Sequence, residues 1–390
     1  MEKLSHRTID CHTHLVSIDE IDRLVAVMDA VGLAAINLLS LSNPMSPWYA
    51  KPGTPDWDRR SHTHDLTVNV AALLAKALHP DRVYVFGGLD HNTPEVLAGH
   101  HNYAEQAYEL IDMGVDGFKM WMGPYMRAII GLPLDAPEFD PFYSLLEEND
   151  LPLLIHGGSS RPEEVEGYLG KHPRLKVIYP HFGGYARDLP RGRQLLDTWP
   201  NTYLDVTPGW LFRAFSDNRD ETRAFFVDYQ DRILFGTDTA ITNIPNDDVA
   251  AINAGIERCA NRQRFIARFL ERKEDLHLEE LGMSRDDETN PALTEIQRAT
   301  ARERWAEHGL YLEDDVLNKV LAGNFQRLAG SHPRRVDVKR TLASCEQLLE
   351  RVRQGSDDET KGPDGRSPAE IKAQNLEELE RIIAQFRALA

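Results

Sequence analysis

Cysteine is scarce in this chain. Three occur in 390 residues, Cys11, Cys259 and Cys345, odd in number, widely spaced and never in a CxxC arrangement. That excludes a disulfide framework and fits reduced thiols. Long apolar runs are missing too: none approaches the roughly 20 residues that span a bilayer, and the N-terminus reaches Ile9 without the apolar core of a signal peptide. The expectation is a cytoplasmic protein with no membrane partner. An excess of positive charge is also absent. Against 62 Asp and Glu stand 44 Lys and Arg, a formal net charge of −18, which argues against a basic face for nucleic acid while leaving room for a local basic pocket. No GxGxxG turn, Walker-type loop or Gly-x-Ser-x-Gly elbow occurs, so neither a nucleotide cradle nor a serine nucleophile competes for the reading.

What the chain does have is 42% hydrophobic residues, enough for one large domain with appendages or for two domains. Eight short apolar runs rich in β-branched residues recur: 8–12, 33–39, 83–87, 115–120, 152–156, 176–181, 202–206 and 233–238. Several are continuously apolar rather than alternating, as expected of parallel strands covered on both faces. Helical patterns lie between them, at 18–31, 69–78, 103–113 and 141–148. Eight βα units in about 240 residues predict a (β/α)8 TIM barrel. Residues 1–332 would form this domain, with strands within 8–238 and further charged helices over 246–332, including 258–274 and 294–307. Residues 333–390 would be a helical C-terminal extension. There, 354–367 reads as an exposed linker, and Ser367, Pro368 and Glu370 supply an N-cap, an N1 proline and a capping-box acid. Leu376, Leu379, Ile383, Phe386 and Leu389 then make an apolar stripe suited to docking on the chain's own barrel.

In such a barrel the active site lies at the C-terminal ends of the strands, so polar residues ending apolar runs are the ones to collect. His12 and His14 end the first run; in an extended strand both imidazoles point to one face while Cys11 points away. The spacing alone is weak, since His62 and His64 repeat it in a Pro, Asp and Trp rich stretch that reads as a loop. Lys119 lies near the end of the fourth run, His156 ends the fifth, His181 the sixth and Asp238 the eighth. Any one of these alone fits a hydrogen-bonded packing residue. Brought together on one rim, they fit a metal-type donor set.

Their order resembles the amidohydrolase superfamily, in the amidohydrolase-related branch of metal-dependent, aminocarboxymuconate semialdehyde decarboxylase-like TIM-barrel enzymes. The likeness covers residues 8–238 and resumes at Leu321-Ala-Gly-Asn324-Phe-Gln-Arg327-Leu, similar to the Gly-Asn-x-x-Arg-Leu ending of that branch. Having no β-sandwich before the first strand also suits it. The resemblance implies metal ligation by His12, His14, His156 and Asp238, with His181 catalytic or a ligand to a second ion. A divalent ion in such a site lowers the pKa of bound water from about 15.7 to about 7. Asp238 can accept that proton and deliver it to a leaving group, and His181 can polarise a carbonyl or act as acid and base. One ion is expected, zinc on ligand type, with manganese, iron or cobalt compatible. Lys119 opens a second reading, a carboxylated lysine bridging two metals, or it can bind a substrate carboxylate.

For the substrate, an aromatic and arginine set is available: Trp48, Trp57, Trp121, Tyr125, Arg127, Arg187, Arg191, Trp210 and Arg213. Trp121, Arg127 and Arg213 are the preferred contacts. The leading expectation is a hydrolase that cleaves an amide, lactone or ester bond in a small carboxylated molecule. A metal-dependent, non-oxidative decarboxylase is the alternative, and a binding barrel without catalysis the third. The resemblance also implies a homodimer.

Overall fold

The eight runs become eight parallel strands, β1 (Ile9–His14), β2 (Ala35–Leu39), β3 (Val83–Gly88), β4 (Gly117–Trp121), β5 (Leu153–His156), β6 (Val177–Tyr179), β7 (Thr202–Asp205) and β8 (Ile233–Leu234), paired in chain order. The computed structural model describes residues 3–15, 17–40, 68–90, 102–122, 127, 131–207, 211–240, 248–277, 306–355, 357–361 and 367–390. The eighth run is interrupted and resumes as β9 (Thr239–Ala240), which pairs parallel with the end of β1, Thr13 opposite Thr239 and His14 opposite Ala240. Two backbone bonds complete the seam: the Cys11 amide donates to the Phe235 carbonyl at 3.0 Å, and the Asp238 amide to the His12 carbonyl at 2.8 Å. Helices between the strands, among them Ile21–Val31, Val68–Leu78, Tyr103–Met113 and Asp140–Glu148, complete a (β/α)8 TIM barrel with extra C-terminal helices. Among the described residues no helix is long and apolar enough to cross a membrane.

The continuous hydrophobicity of the strands follows from their two buried faces. Ile9, Cys11, Ala35, Leu39, Tyr84, Phe86, Leu154, Ile178 and Leu234 fill the barrel interior. Their neighbours in sequence, such as Ile36, Val83, Val85, Phe118 and Ile155, pack under the helices. The interior cluster also contains Ala322, Phe325 and Leu328, from the segment that resembled a family ending. Phe325 meets Tyr84 edge-on at 5.0 Å between ring centroids and stacks on Phe86 at 6.0 Å. Asn324 donates from Nδ2 to the carbonyls of Gln230 and Ile233, both at 2.7 Å, and Arg327 donates to the Asp231 carbonyl at 2.7 Å. The Gly-Asn-x-x-Arg-Leu segment is therefore a plug for the N-terminal mouth, which leaves the C-terminal mouth for chemistry.

Beyond β9 the expectations need revision. The helix expected from Arg258 spans Val249–Glu271, capped by Asp248. It ends before Glu274 because the chain enters an antiparallel pair, Asp275–His277 against Ala306–His308. Of the helix expected over 294–307, Ala306 and Glu307 lie instead in this strand, set by a pairing that a local helical period does not register; residues 294–305 lie outside the described set. The final helix, Pro368–Leu389, carries the expected capping box: Ser367 Oγ accepts from the Glu370 amide at 3.2 Å, and a Glu370 carboxylate oxygen accepts from the Ser367 amide at 2.7 Å. Its buried stripe is Ile371, Leu379, Ile382, Ile383 and Phe386, whereas Leu389, expected in it, is 42% exposed at the frayed end. The stripe packs against the helix Val338–Arg353 and against Val68–Leu78 of the barrel. Glu378 fixes the dock by accepting from the Ile18 amide at 2.9 Å.

Candidate metal centre

A β-bulge shapes the first strand. Pairing of β1 with β2 shifts between Asp10 and Thr13, so two successive residues, Cys11 and His12, share the inner side. Cys11 lies in the interior cluster with Ile9 and does not point away from the site as an unbroken strand would require. Asp10 fixes the irregularity. One of its carboxylate oxygens accepts from the amides of His12 and Thr237, both at 3.1 Å, and the other from the Thr237 hydroxyl at 2.6 Å.

Three donor groups converge at the mouth. Nε2 of His12 lies 3.3 Å from Oδ1 of Asp238, and Nε2 of His14 lies 3.2 Å from the same oxygen. The far side of each imidazole is already bonded. His12 Nδ1 donates to Oδ2 of Asp205 at 2.7 Å, and His14 Nδ1 donates to the Leu39 carbonyl at 3.1 Å. With a proton on each Nδ1, both rings turn Nε2 toward a carboxylate oxygen that is itself an acceptor. Such an arrangement requires positive charge at its centre, either a proton or a cation. Ligand atoms about 2.0–2.1 Å from a zinc ion in tetrahedral array lie about 3.3–3.4 Å apart, close to the spacings found. The donor set therefore fits a divalent metal, and the Nδ1 bonds are the outer partners that metal-binding histidines ordinarily have.

The electrostatics agree with this donor role. Burial lowers the pKa of His14 and His181, and it takes His156 down to about 3 with help from the charge of Lys119, so these rings stay neutral. Burial pulls His12 down as well, but Asp238 and Asp205 on either side outweigh it and raise its pKa. Burial would raise Asp238; His12 and His14 prevail and hold its carboxyl well below the usual range. Lys119, 3% exposed, is lowered to about 8 by burial, with Asp238 and Asp205 opposing the shift.

The remaining predicted residues separate into those at the mouth and those engaged elsewhere. The His181 ring stands 5.7 Å from that of His12 and 4.6 Å from that of His156. His156 comes from β5, across the barrel from β1, and is not in the group of His12, His14 and Asp238, whose ligand atoms all lie within 4.8 Å of one another. Trp121 shares an inner-facing register with Lys119 two residues earlier, its ring 6.3 Å from that of His156. Arg127 is held within the protein. Its Nη1 bonds both carboxylate oxygens of the buried Glu164 at 2.8 and 2.7 Å, and its Nε donates to the Met122 carbonyl at 3.0 Å. Arg213 is half-buried on the helix Leu211–Asp217, its Nε 2.9 Å from Oδ1 of Asp217. Arg187 and Arg191 are exposed. Trp48, Trp57, His62, His64, Tyr125 and Trp210 lie outside the described residues.

Asp205 and Asp10 are the residues that sequence reasoning passed over. Asp205 ends β7 as His156 ends β5, and Leu-Asp-Val at the close of an apolar run was the available signal. Its carboxyl is held below the usual range, since His12 outweighs the effect of burial.

The sequence model of the amidohydrolase family matches residues 9–328. The chain belongs to the amidohydrolase family. No curated protein matches this amidohydrolase by sequence. Among solved structures it is similar to an uncharacterized TIM-barrel protein from Bordetella bronchiseptica, with 14% identity, 83% of this chain and 99% of that one covered, and a TM-score of 0.49. A probable 2-pyrone-4,6-dicarboxylic acid hydrolase from Acinetobacter baumannii, with citric acid bound, has 13% identity, 83% and 99% coverage and a TM-score of 0.45. An amidohydrolase from Burkholderia multivorans with bound zinc has 15% identity, the same coverage and a TM-score of 0.43. At these identities and scores they carry no argument about the reaction of this amidohydrolase.

Proposed function

We propose that this amidohydrolase is a single-metal hydrolase cleaving an amide, lactone or ester bond in a small carboxylated molecule. The observation that carries the reading is the meeting of two imidazole lone pairs and one carboxylate around a point that only positive charge can occupy. His12, His14 and Asp238 would hold the ion, with His156 the further ligand expected from the family pattern. A divalent ion there supplies Lewis acidity, polarising a carbonyl and acidifying water beside it. Asp238 takes the proton of the attacking water on Oδ2, the oxygen turned from the two imidazoles, and returns it to the leaving group. The Lys119 ammonium, inside the barrel, pairs with a substrate carboxylate, and Trp121 covers the flat part of the molecule. Glu164 holds the Arg127 guanidinium against the Met122 and Gly157 carbonyls, just past the ends of β4 and β5; Arg213 stays a candidate substrate contact.

The test loads metal-free protein with zinc, manganese, iron or cobalt and assays a panel of carboxylated lactones, esters and amides. One equivalent of metal per chain and cleavage that depends on it support the proposal. Two equivalents, with bound carbon dioxide lost in Lys119→Ala, would replace it by the two-metal reading. Carbon dioxide release in place of cleavage would move the assignment to a decarboxylase, and metal binding without turnover to a binding barrel. The assembly we carry forward is a homodimer, read out by sedimentation.

A further inference from the structure

Asp205, which is not a predicted ligand, bonds two of the predicted site residues, His12 and His181. Its Oδ2 accepts from His12 Nδ1 at 2.7 Å. Its Oδ1 accepts from the His181 amide at 2.8 Å, the Thr207 amide at 3.2 Å and the Thr207 hydroxyl at 2.7 Å. The Thr207 oxygen in turn lies 2.9 Å from Nδ1 of His181, and the Thr207 carbonyl lies 3.2 Å from the same nitrogen. The proton positions follow from which partners can only accept. A carboxylate cannot donate, so the Thr207 hydroxyl gives its hydrogen to Asp205 and has only lone pairs left for His181. A carbonyl cannot donate either. His181 Nδ1 must therefore carry the proton, just as His12 Nδ1 does.

We propose that Asp205 and Thr207 form a tautomer lock that sets two histidines at once: His12 through a direct bond and His181 through the threonine, each ring with a proton held on Nδ1 so that its Nε2 is the nitrogen that faces the site. This goes beyond the ligand assignment and rests on the proposed function only where it gives those Nε2 atoms work. His12 is fixed as a donor to a cation. His181 is fixed as a proton acceptor at Nε2, not as a resting acid. When it takes a proton there, the imidazolium is stabilised by the Asp205 carboxylate acting through the Thr207 hydroxyl, so Asp205 is a positioning residue for both halves of the site.

The experiment is the long-range nitrogen–proton spectrum of imidazole-labelled, metal-free full-length protein. Signals are assigned by their loss in His12→Gln and His181→Gln, and the spectrum is repeated for Asp205→Asn and Thr207→Val. In the wild type both rings should be protonated on Nδ1. In Asp205→Asn the amide oxygen stays with the three donors on the Oδ1 side, so the new NH2 faces His12 Nδ1 and drives its proton to Nε2. Zinc affinity, measured by competition with a chelator, should then fall about 10- to 100-fold. In Thr207→Val the backbone carbonyl of residue 207 remains the acceptor for His181 Nδ1, so the Nδ1 tautomer of His181 should lose population without being lost while His12 keeps its proton on Nδ1. A wild-type ring protonated on Nε2 but not on Nδ1, or an Asp205→Asn spectrum that leaves His12 unchanged, would overturn the lock; the wild-type spectrum decides even if a variant fails to fold. The expected tautomers without zinc binding would sink the metal reading and leave the lock, whereas zinc binding with the wrong tautomers would do the reverse.

Discussion

Gly236 is where the last strand passes closest to the candidate ligands, and Gly236→Ala tests that approach. A Cβ at this position would sit 3.0 Å from Cβ of His12, 3.0 Å from Cγ2 of Thr207 and 3.1 Å from Sγ of Cys11. None of the three neighbours is the free end of a flexible side chain. The His12 Cβ is fixed to β1, the Thr207 methyl is oriented by hydroxyl bonds to Asp205 and His181, and Cys11 is wholly buried in the interior cluster. Overpacking of this kind costs about 1–3 kcal/mol. If zinc binding requires His12 at its unstrained position, the same 1–3 kcal/mol appears as about 5- to 140-fold weaker binding, at about 1.4 kcal/mol per decade. The paired control is Gly170→Ala, on the helix Pro162–Lys171, where the added carbon meets nothing within 4 Å; it should stabilise by up to about 1 kcal/mol through helix propensity. Urea unfolding gives the stabilities, and zinc competition with a chelator gives the affinities. If Gly236→Ala unfolds and binds zinc like the wild type, the last strand does not press on His12 and the closure described for the barrel is wrong.

Phe325→Ala empties the plug at the N-terminal mouth and should cost about 3–5 kcal/mol in urea unfolding while leaving zinc stoichiometry unchanged. In Asp238→Asn the charge between the two imidazole lone pairs is gone, so dialysed protein should hold well under one metal per chain by elemental analysis. Burial opposes the downward shift of Glu164, but its bonds to Arg127 outweigh it and hold its carboxyl below the usual range. Its stabilising effect is therefore present above an unfolded pKa of about 4.3 and lost as pH falls through the lower folded value. A series of unfolding curves should show that loss in the wild type and a flatter profile in Glu164→Gln. Asp10→Ala strands the amides of His12 and Thr237, at about 1–3 kcal/mol each, whereas Asp10→Asn keeps an acceptor for both and should stay near wild-type stability by the same assay.

The strands were legible because burial on both faces leaves an unbroken apolar run that a sequence can show, and the mouth residues because they end those runs. The β1 bulge was not legible. Period-two reasoning put Cys11 outside, and only the pull of Asp10 on residues far away, such as the Thr237 amide, brings Cys11 and His12 to the same side. Arg127 reads in the sequence as a free guanidinium because Glu164, its partner, is 37 residues away on the helix Pro162–Lys171. The segment ending in Arg327-Leu could be matched to a family but not given a task, since its work as a plug depends on Tyr84 and Phe86 from a distant strand.

Among the described residues, three of the five non-glycine residues with positive φ are His181 at 58°, Phe182 at 53° and Asp238 at 53°, each a conformation that costs of order 1–3 kcal/mol unless its surroundings impose it. Here they do. The His181 amide is tied to Asp205 and the Asp238 amide to the His12 carbonyl, while Phe182 is packed against Phe215, Phe225 and Phe226. At His181 and Asp238 the left-handed turn stops the chain from continuing as a strand at the barrel mouth, whereas the Phe182 ring is buried among the helix phenylalanines. The Asp238 backbone stays in the seam, its amide on the His12 carbonyl, while its carboxylate faces Nε2 of His12 and His14. The strain is thus the geometric means by which two strand ends on neighbouring sides of a barrel bring acceptor atoms within 3.3 Å of each other, and the carboxylates of Asp10 and Asp205 behind the histidines are what hold it in place.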